Sequence, residues 1–297
     1  MTSREGAWLW LNRPMLLREV SYVRPATVEE AISQLSGTAG ARVLAGGQTL
    51  VNVMKARAAA PDVLVDLADL EELRGIGFSS DGQLEIGAMV TCTQLASSSE
   101  VEVARPILAE VVSTIADVQV RNRGTVGGNV CVADPTNHLP PLLAALDATF
   151  TIRGQDGERT VSAEDFFVGV YMTAVGEGEL LTKVSVPPSK GAGDGFSGLT
   201  IGRHGTYVVD AAATVGEGGV RIALGCVAAV PVRATAMEEK LAGGDFSEAV
   251  VKQAAEGLGA ALDPPSDVHG SADYRRRLAE ISAVRAVLQG ASRRKGA

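Results

Sequence analysis

The sequence predicts an α+β protein with two domains, and three observations support this fold class. The chain has 297 residues, of which 46% are hydrophobic, so it can bury the core of one large or two ordinary domains. Short apolar segments with the length of strands alternate with capped helical segments along the chain. Residues 189–198 are rich in Gly, Ser and Lys, which is typical of a linker, so the domain boundary is predicted near residue 190.

The first domain is predicted to begin at Met15, because residues 1–14 do not share the pattern that follows and form an N-terminal extension. Its first helix is predicted to begin after Thr27, which forms a capping box with Glu30, and to end at Gly37. Further strands are predicted at 42–45, 62–67 and 84–88. Further helices are predicted at 51–57, 91–95, 106–117 and 139–146.

The second domain is predicted to cover residues 191–292. Its strands are predicted at 207–215 and 220–230, and two helices follow them. The second helix is predicted to begin at Ser271 and to end at Gly290. Its apolar stripe is predicted to consist of Leu278, Ile281, Val284 and Leu288. The Arg275–Arg277 run is expected to be solvated or to complement the helix dipole, and so is the basic tail at 293–297.

Composition excludes several classes of protein. The formal net charge is -8 and the isoelectric point is about 5.1, whereas a nucleic-acid-binding protein needs a cationic surface that displaces counterions. No apolar stretch reaches the roughly 20 residues of a membrane span. The apolar run at 7–11 is shorter than the roughly 7–15 residues of a signal-peptide core. We therefore expect a cytoplasmic protein that neither binds nucleic acid nor spans a membrane.

Metal centres are not expected in this chain. An iron–sulfur cluster usually takes four cysteine thiolates at close spacing, and no C-x-x-C pair is present. The histidines also lack the spacing of metal ligands. These residues are Cys92, Cys131, Cys226, His138, His204 and His269. A redox centre held by this chain is therefore expected to be organic.

Two glycine-rich segments are the most unusual features of the sequence. Gly46-Gly47 follows a predicted strand and precedes a helix, and Gly127-Gly128 lies in a segment, 121–129, that is predicted to be a loop. Consecutive backbone amides in such turns can point at one anion, and glycine accepts the positive φ angles that this requires. Two such segments fit the two phosphates of a dinucleotide. A turn without a ligand is the alternative for each, since neither segment has Walker or Rossmann spacing.

The sequence resembles a known family at a series of positions that run in order from Met15 almost to the C-terminus. The family comprises the FAD-binding medium subunits of carbon monoxide dehydrogenase and xanthine dehydrogenase-type molybdenum hydroxylases. The most specific matches are the second glycine segment and residues 269–276. The other matching segments are 45–50 with 54–55, 86–88, 134–135 with 139–140, 178–182, and 223–225 with 231–234.

The resemblance implies a bi-lobed FAD-binding fold of the vanillyl-alcohol oxidase (PCMH) type, followed by a smaller α+β flavoprotein C-terminal domain. The lobes would cover about 15–70 and 71–190. It also implies that the FAD pyrophosphate lies between the glycine segments and that a hydrophobic residue packs near the isoalloxazine. The implied cofactor-binding residues are Ala45, Gly46, Gly47, Gln48, Thr49, Thr125, Val126, Gly127, Gly128, Asn129, His138 and Leu181.

Two positions depart from the family pattern. His138 stands where family members usually carry an acidic residue near FAD, and it is assigned as a substitute hydrogen-bond partner. Phe196, Ser197 and Gly198 stand where many members have Tyr-x-Lys, so a lysine beside the flavin is missing. These departures affect the contacts with the flavin ring and leave the pyrophosphate segments unchanged.

The resemblance implies an oxidoreductase subunit that transfers electrons. A large subunit with a molybdopterin cofactor would oxidise the substrate, and a small subunit would carry two [2Fe–2S] clusters, in a dimer of heterotrimers. This chain's FAD would take electrons from the clusters and pass them to NAD, oxygen or a quinone-linked carrier. No catalytic acid, base or nucleophile is assigned in this chain. The alternatives are a self-sufficient flavin oxidase or reductase and an assembly subunit without FAD.

Overall fold

The first lobe is a small parallel sheet with a helix on each of its connections. The computed structural model describes residues 17–202 and 207–294, so the N-terminal extension lies outside the described residues. The strand order is β1-β3-β2, and the connections carry helices α1 and α2. The bounds are β1 Ser21–Val23, α1 Val28–Gly37, β2 Ala41–Leu44, α2 Leu50–Lys55 and β3 Val63–Asp66.

Helix α1 shows how a local signal fixes an element. The Thr27 hydroxyl accepts a hydrogen bond from the Glu30 amide, as predicted. The Glu30 carboxylate accepts from the Ala26 amide, one residue before the expected Thr27 amide. The capped first turn thus fixes the start of the helix, whose apolar side packs into the core of the first lobe.

The second lobe is a five-stranded antiparallel sheet with helices packed on it. The strand order is β4-β5-β10-β6-β7, in which the central strand β10 comes last along the chain. The strands of this sheet are β4 Ile76–Phe78, β5 Leu84–Gly87, β6 Thr149–Gly154, β7 Gly157–Ser162 and β10 Leu180–Val186. Strands β8 Phe167–Gly169 and β9 Met172–Thr173 form a separate two-stranded sheet. The helices are α3 Cys92–Ala96, α4 Ser99–Ala104, α5 Pro106–Val112, α6 Val118–Arg123, α7 Val126–Val132, α8 Leu139–Ala145 and α9 Ala163–Phe166.

Helix α5 is shorter than predicted, and helices replace much of the expected second glycine loop. The chain leaves the helical path after α5, and Ala116 adopts a positive φ of 43°. Asp117, predicted to end α5, instead caps α6 by accepting from the Val120 amide. The prediction extended the helix to residue 117 because Ile115 continues the apolar period and still packs against the core.

The C-terminal domain is a four-stranded antiparallel sheet with a long helix packed on one face. The strand order is β11-β12-β13-β14, and helices α10 to α12 follow. The bounds are β11 Gly193–Thr200, β12 Tyr207–Gly216, β13 Gly219–Gly225, β14 Val232–Arg233, α10 Thr235–Lys240, α11 Glu248–Ala255 and α12 Ala272–Ser292.

The predicted linker at 189–198 is wrong beyond residue 192, because β11 begins at Gly193. The glycines there allow close packing. A β-carbon on Gly193 would lie 2.1 Å from the Gly290 carbonyl oxygen, and one on Gly195 would lie 2.0 Å from that of Ala286. The backbone of α12 thus lies directly against β11.

The apolar stripe predicted for α12 is not the buried face of the helix. Its four large apolar residues are only half-buried, and the helix continues past Gly290 to Ser292. Apart from Arg275, the fully buried face consists of small and medium-sized residues: Ala279, Ser282, Ala283, Ala286, Val287 and Gly290. Small side chains occupy this face because the helix axis lies close to the glycines of β11.

The two domains share a core. Ala212 of β12 and Ala223 of β13 belong to the hydrophobic cluster of the second lobe, against which α8 also packs. A buried ion pair joins the domains as well, since the Arg105 guanidinium donates to both carboxylate oxygens of Asp194 at 3.0 and 3.1 Å. Across residues 17–202 and 207–294, no helix is long and apolar enough to cross a membrane.

Candidate functional site

The two glycine segments lie against each other. A β-carbon on Gly46 would be 2.0 Å from the carbonyl oxygen of Arg123, and one on Gly128 would be 3.7 Å from the β-carbon of Ala45. Gly46 is therefore required for the contact between the first segment and the end of α6. The structure thus brings together two segments that are about 80 residues apart in the sequence.

The first segment is an open turn with unused backbone donors. Gly47 has a positive φ of 71°, and the Gln48 side chain donates to the Gly46 carbonyl at 3.1 Å. Among the described residues, the backbone amides of residues 46–49 have no hydrogen-bond partner. The Thr49 side chain is exposed and does not cap α2. This turn has the donors and the glycine geometry of an anion-binding nest.

The second segment differs from the expected loop. Thr125 caps α7 by accepting from the Gly128 amide at 3.0 Å. The other backbone amides of this segment also have partners. The Val126 amide donates to the Val90 carbonyl, the Gly127 amide to the Ala88 carbonyl, and the Asn129 amide to the Thr125 carbonyl. The amides of residues 126–129 are therefore engaged within the chain, and the assignment of this pair to the pyrophosphate stays a prediction. Gly127 is needed because its β-carbon would lie 2.7 Å from Ala88.

The last residue of the second segment, Asn129, has an unused hydrogen-bonding atom. The amide oxygen of Asn129 is buried and has no partner among the described residues. The Asn137 side chain donates to the Asn129 carbonyl at 3.1 Å and so ties this segment to the start of α8. Buried polar atoms without partners are rare in folded proteins, and a ligand is one explanation for them.

His138 lies at the junction of the two domains. Its ring is buried, and Nδ1 has no partner in the described part of the chain. Burial lowers the pKa of His138 to about 4, so the ring is neutral at pH 7. Its ring meets that of Tyr207 edge-on, with centroids 4.1 Å apart. The sequence assigned Tyr207 only to a strand. An isolated glycine in a strand, Gly198, was the available signal of a close contact.

Val126 and Leu181 lie in the hydrophobic core of the second lobe. They are 1% and 3% exposed, and Leu181 pairs with Ile152 just before an irregularity in the β10–β6 ladder. Leu181 would therefore contact a cofactor only where the hydrophobic core of the second lobe ends. Their assignment as cofactor contacts stays a prediction.

The Arg275 side chain was expected to be solvated, and this is wrong. It is buried, and its guanidinium donates to the Val208 and Cys226 carbonyls and to Asp267. The specific 269–276 segment thus holds the C-terminal sheet together. In the described residues, no group of three or more His, Cys, Asp or Glu is placed to bind a metal ion.

Comparisons with known proteins identify the family. Residues 18–189 match the FAD binding domain in molybdopterin dehydrogenase, and residues 213–289 match the CO dehydrogenase flavoprotein C-terminal domain. The chain is 34% identical to the glyceraldehyde dehydrogenase medium chain of Sulfolobus acidocaldarius, over 90% of this chain and 97% of that one. It is 36% identical to the carbon monoxide dehydrogenase medium chain of Hydrogenophaga pseudoflava, over 92% and 97% of the two chains.

A solved structure agrees with these matches. It is carbon monoxide dehydrogenase from Hydrogenophaga pseudoflava in a form that lacks the Mo-pyranopterin moiety of the molybdenum cofactor. The match has a TM-score of 0.90 at 36% identity and covers 94% of this chain and 100% of the other. The predicted α+β fold, with an FAD-binding part and a C-terminal flavoprotein domain, is confirmed. The chain therefore belongs to the FAD-binding medium subunits of the molybdopterin dehydrogenases, which are subunits of oxidoreductase complexes.

Proposed function

We propose that this chain binds FAD and transfers electrons from the [2Fe–2S] clusters of a partner subunit to an external acceptor. Family membership supports the cofactor. Family membership also supports the division of labour, because the relatives are medium chains of multi-subunit dehydrogenases. When bound, FAD supplies the capacity to accept electrons one at a time and to release them in pairs.

The observation that carries the proposal is the contact between the two glycine segments. The unpaired amides at residues 46–49 would donate to the pyrophosphate, and the Thr125 cap would hold the start of α7 beside it. The side chain of Arg123 is exposed, and its backbone packs against Gly46. A cation at this position would help an acidic chain to bind a dianion.

The polar atoms near the domain junction suit a neutral, hydrogen-bonding part of the cofactor. Asn129 offers an amide oxygen, and His138 offers Nδ1, which accepts or donates according to the tautomer. Leu181 would contribute apolar surface. In this arrangement the first segment binds charge, whereas the domain junction orients uncharged groups.

We propose that the partners are a large molybdopterin subunit and a small [2Fe–2S] subunit, assembled as a dimer of heterotrimers in the cytoplasm. The substrate is not determined by this chain. Relatives of similar identity carry the names of glyceraldehyde and carbon monoxide dehydrogenases. Substrate selection is therefore expected in the large subunit, and the same medium-subunit fold serves different reactions.

The test is an absorbance spectrum of the purified full chain, followed by heat release and identification of any flavin. We expect flavin bands and about one FAD per chain, either as purified or after addition of FAD. A chain that stays colourless after reconstitution would contradict the proposal and favour an assembly subunit without FAD. Rapid substrate oxidation by the isolated flavin-loaded chain would favour the self-sufficient oxidase.

A further inference from the structure

The turn between α5 and α6 has a strained backbone. Ala116 adopts a φ of 43° although it has a side chain, and residues other than glycine rarely occupy this left-handed region. Such a conformation persists only where its surroundings hold it in place. The turn therefore needs contacts that fix it, and it leads directly into a helix whose other end meets the first glycine segment.

Arg121 supplies these contacts. One of its guanidinium nitrogens, Nη1, donates to the carbonyl of Ile115 at 2.8 Å and to the carbonyl of Ala116 at 3.0 Å. Hydrogen bonds from a charged donor are stronger than those between neutral groups. The hydroxyls of Ser113 and Thr114 instead donate back to carbonyls of α5. Arg121 thus ties the strained turn to α6.

Helix α6 is not held in place by burial. None of its six residues is buried, so apolar packing does not determine where it lies. At its end, the Asn122 side chain accepts from the Thr93 hydroxyl at 2.7 Å, and the Gly124 carbonyl accepts from the Cys92 amide at 2.9 Å. At its start, the bonds of Arg121 hold it against the preceding turn. The position of α6 therefore depends on polar contacts.

The end of α6 forms one wall of the first glycine turn. A β-carbon on Gly46 would lie 2.0 Å from the carbonyl oxygen of Arg123 and 2.7 Å from its carbonyl carbon, so the two backbones are in direct contact. The amides of residues 46–49, which have no partner among the described residues, begin at this contact. A shift of α6 would therefore change the shape of the turn that carries these amides.

We propose that Arg121 is a positioning residue of the FAD site. By holding the left-handed turn at Ala116 against α6, it keeps the Arg123 carbonyl against Gly46 and so fixes the direction of the unpaired amides at residues 46–49. The inference rests on the proposed function and deepens it, because Arg121 acts on the cofactor through the first glycine turn. A guanidinium presents its donors in a fixed plane, whereas an ammonium is a point charge on a flexible chain, so lysine should replace Arg121 only in part.

The test compares the full-length wild type with R121M and R121K, by titration of the apoprotein with FAD and by urea unfolding. R121M removes both hydrogen bonds and should weaken FAD binding about 10-fold, at the lower end of what hydrogen bonds to a charged group contribute. R121K should weaken it about 3-fold, and it decides the question if R121M does not fold.

R276M is the matched control. Arg276 also donates to a backbone carbonyl, that of Leu262 at 3.0 Å, but it does so in the C-terminal domain. Both R121M and R276M should lower the free energy of unfolding, whereas only the Arg121 variants should weaken FAD binding. Equal FAD affinity of the Arg121 variants and R276M would overturn the role of Arg121 while leaving the proposed function intact. A wild-type chain that binds no FAD would overturn both.

A double variant tests the route through the turn. Glycine adopts the φ of Ala116 without strain, so A116G removes the conformational preference that Arg121 opposes. We expect R121M/A116G to bind FAD about 3-fold more tightly than R121M. A double variant that binds no more tightly than R121M would overturn the proposal that Arg121 acts by holding this turn.

Discussion

Asp210 is a buried carboxyl without a well-formed hydrogen bond. It is 0% exposed, and neither oxygen has a partner of good geometry among the described residues, although the Gly225 amide lies close enough to oppose part of the effect of burial on its pKa. It lies on the face of β12 that meets the first domain, where Pro141 and Gly225 surround it. An ionised carboxylate here would be strongly destabilising, so burial raises the pKa of Asp210 well above its ordinary value.

This burial predicts how stability changes with pH. The pKa of Asp210 is raised above 3.8 in the folded chain, so its contribution to stability is fully present below pH 3.8. It is lost as the pH rises towards the folded pKa, because the unfolded chain releases its proton first. In urea unfolding, the wild type should lose stability relative to D210N by up to about 1.4 kcal/mol per pH unit over this range. D156N, on an exposed turn, is the control. An equal pH dependence of wild type and D210N would contradict the buried, protonated state.

Single residues were predictable where their partner is close in sequence. Thr27 was recognised as a helix cap, and the last helix was predicted to begin at Ser271, which the structure shows to be its cap. In both cases the hydroxyl accepts from an amide three residues later. Arg275 was assigned to solvent because its partners, among them the Val208 carbonyl, lie elsewhere in the chain. Gly193 was assigned to a linker for the same reason, since only the packing of α12 explains why it is glycine.

At the scale of elements, the contact between the glycine segments predicts a specific defect. G46A places a methyl group 2.0 Å from the Arg123 carbonyl oxygen, so the first turn and α6 must move apart. Such overlap typically costs about 1–3 kcal/mol. We expect FAD affinity, measured by titration of the apoprotein, to fall about 10- to 100-fold. G37A is the control, because nothing lies within 4 Å of its β-carbon position. Equal affinity of G46A and G37A would show that the contact does not shape the site.

The cap of α7 allows a second test between matched elements. Thr125 and Ser98 each cap a short helix by accepting a backbone amide three residues later. Removing either hydroxyl, in T125V or S98A, should lower the free energy of unfolding by about 1 kcal/mol. Only T125V should also weaken FAD binding, because α7 carries the second glycine segment and α4 carries none. If both variants bound FAD like the wild type, the Thr125 cap would be purely structural.

The elements themselves were largely predictable from local patterns, whereas their neighbours were not. The strand, glycine pair and helix of the first segment lie within fourteen consecutive residues, 42–55. That Gly46 packs on Arg123 depends on the whole path of the chain between them. Similarly, the apolar period through Ile115 could not show that Asp117 would start a new helix. The local sequence therefore predicts the strands, turns and helices of the site. Which of these elements are in contact depends on the tertiary fold.

At the scale of the whole molecule, the two domains are joined through a shared apolar core. His138 and Tyr207 come from different domains, and their contact is kept by the shared core around Ala212 and Ala223. The fold class and the order of domains were predictable from the resemblance and from the alternation of strands and helices. The closeness of the domains was not, because a glycine-rich stretch has the same composition whether it is a linker or an edge strand packed on a helix.

The Arg105–Asp194 pair is a buried polar connection between the domains. The Arg105 side chain also donates to the Pro187 and Pro188 carbonyls, and Asp194 also accepts from Thr214. The ionic side chains are only 4% and 7% exposed, so removing one leaves the other charged group buried without its partner. R105M should therefore lower the free energy of unfolding by about 3–5 kcal/mol.

The control is R159M, which breaks the more exposed Arg159–Glu179 pair inside the second lobe and should cost about 1 kcal/mol or less. Because R105M loosens the junction that holds His138 against Tyr207, it should also weaken FAD binding, which R159M should not. Chemical denaturation followed by flavin fluorescence and by far-ultraviolet circular dichroism measures both effects. In R105M we expect flavin release to precede the loss of secondary structure, since a loosened junction lets the domains separate before either unfolds. Coincident transitions with a small loss of stability would mean that the shared apolar core alone joins the domains.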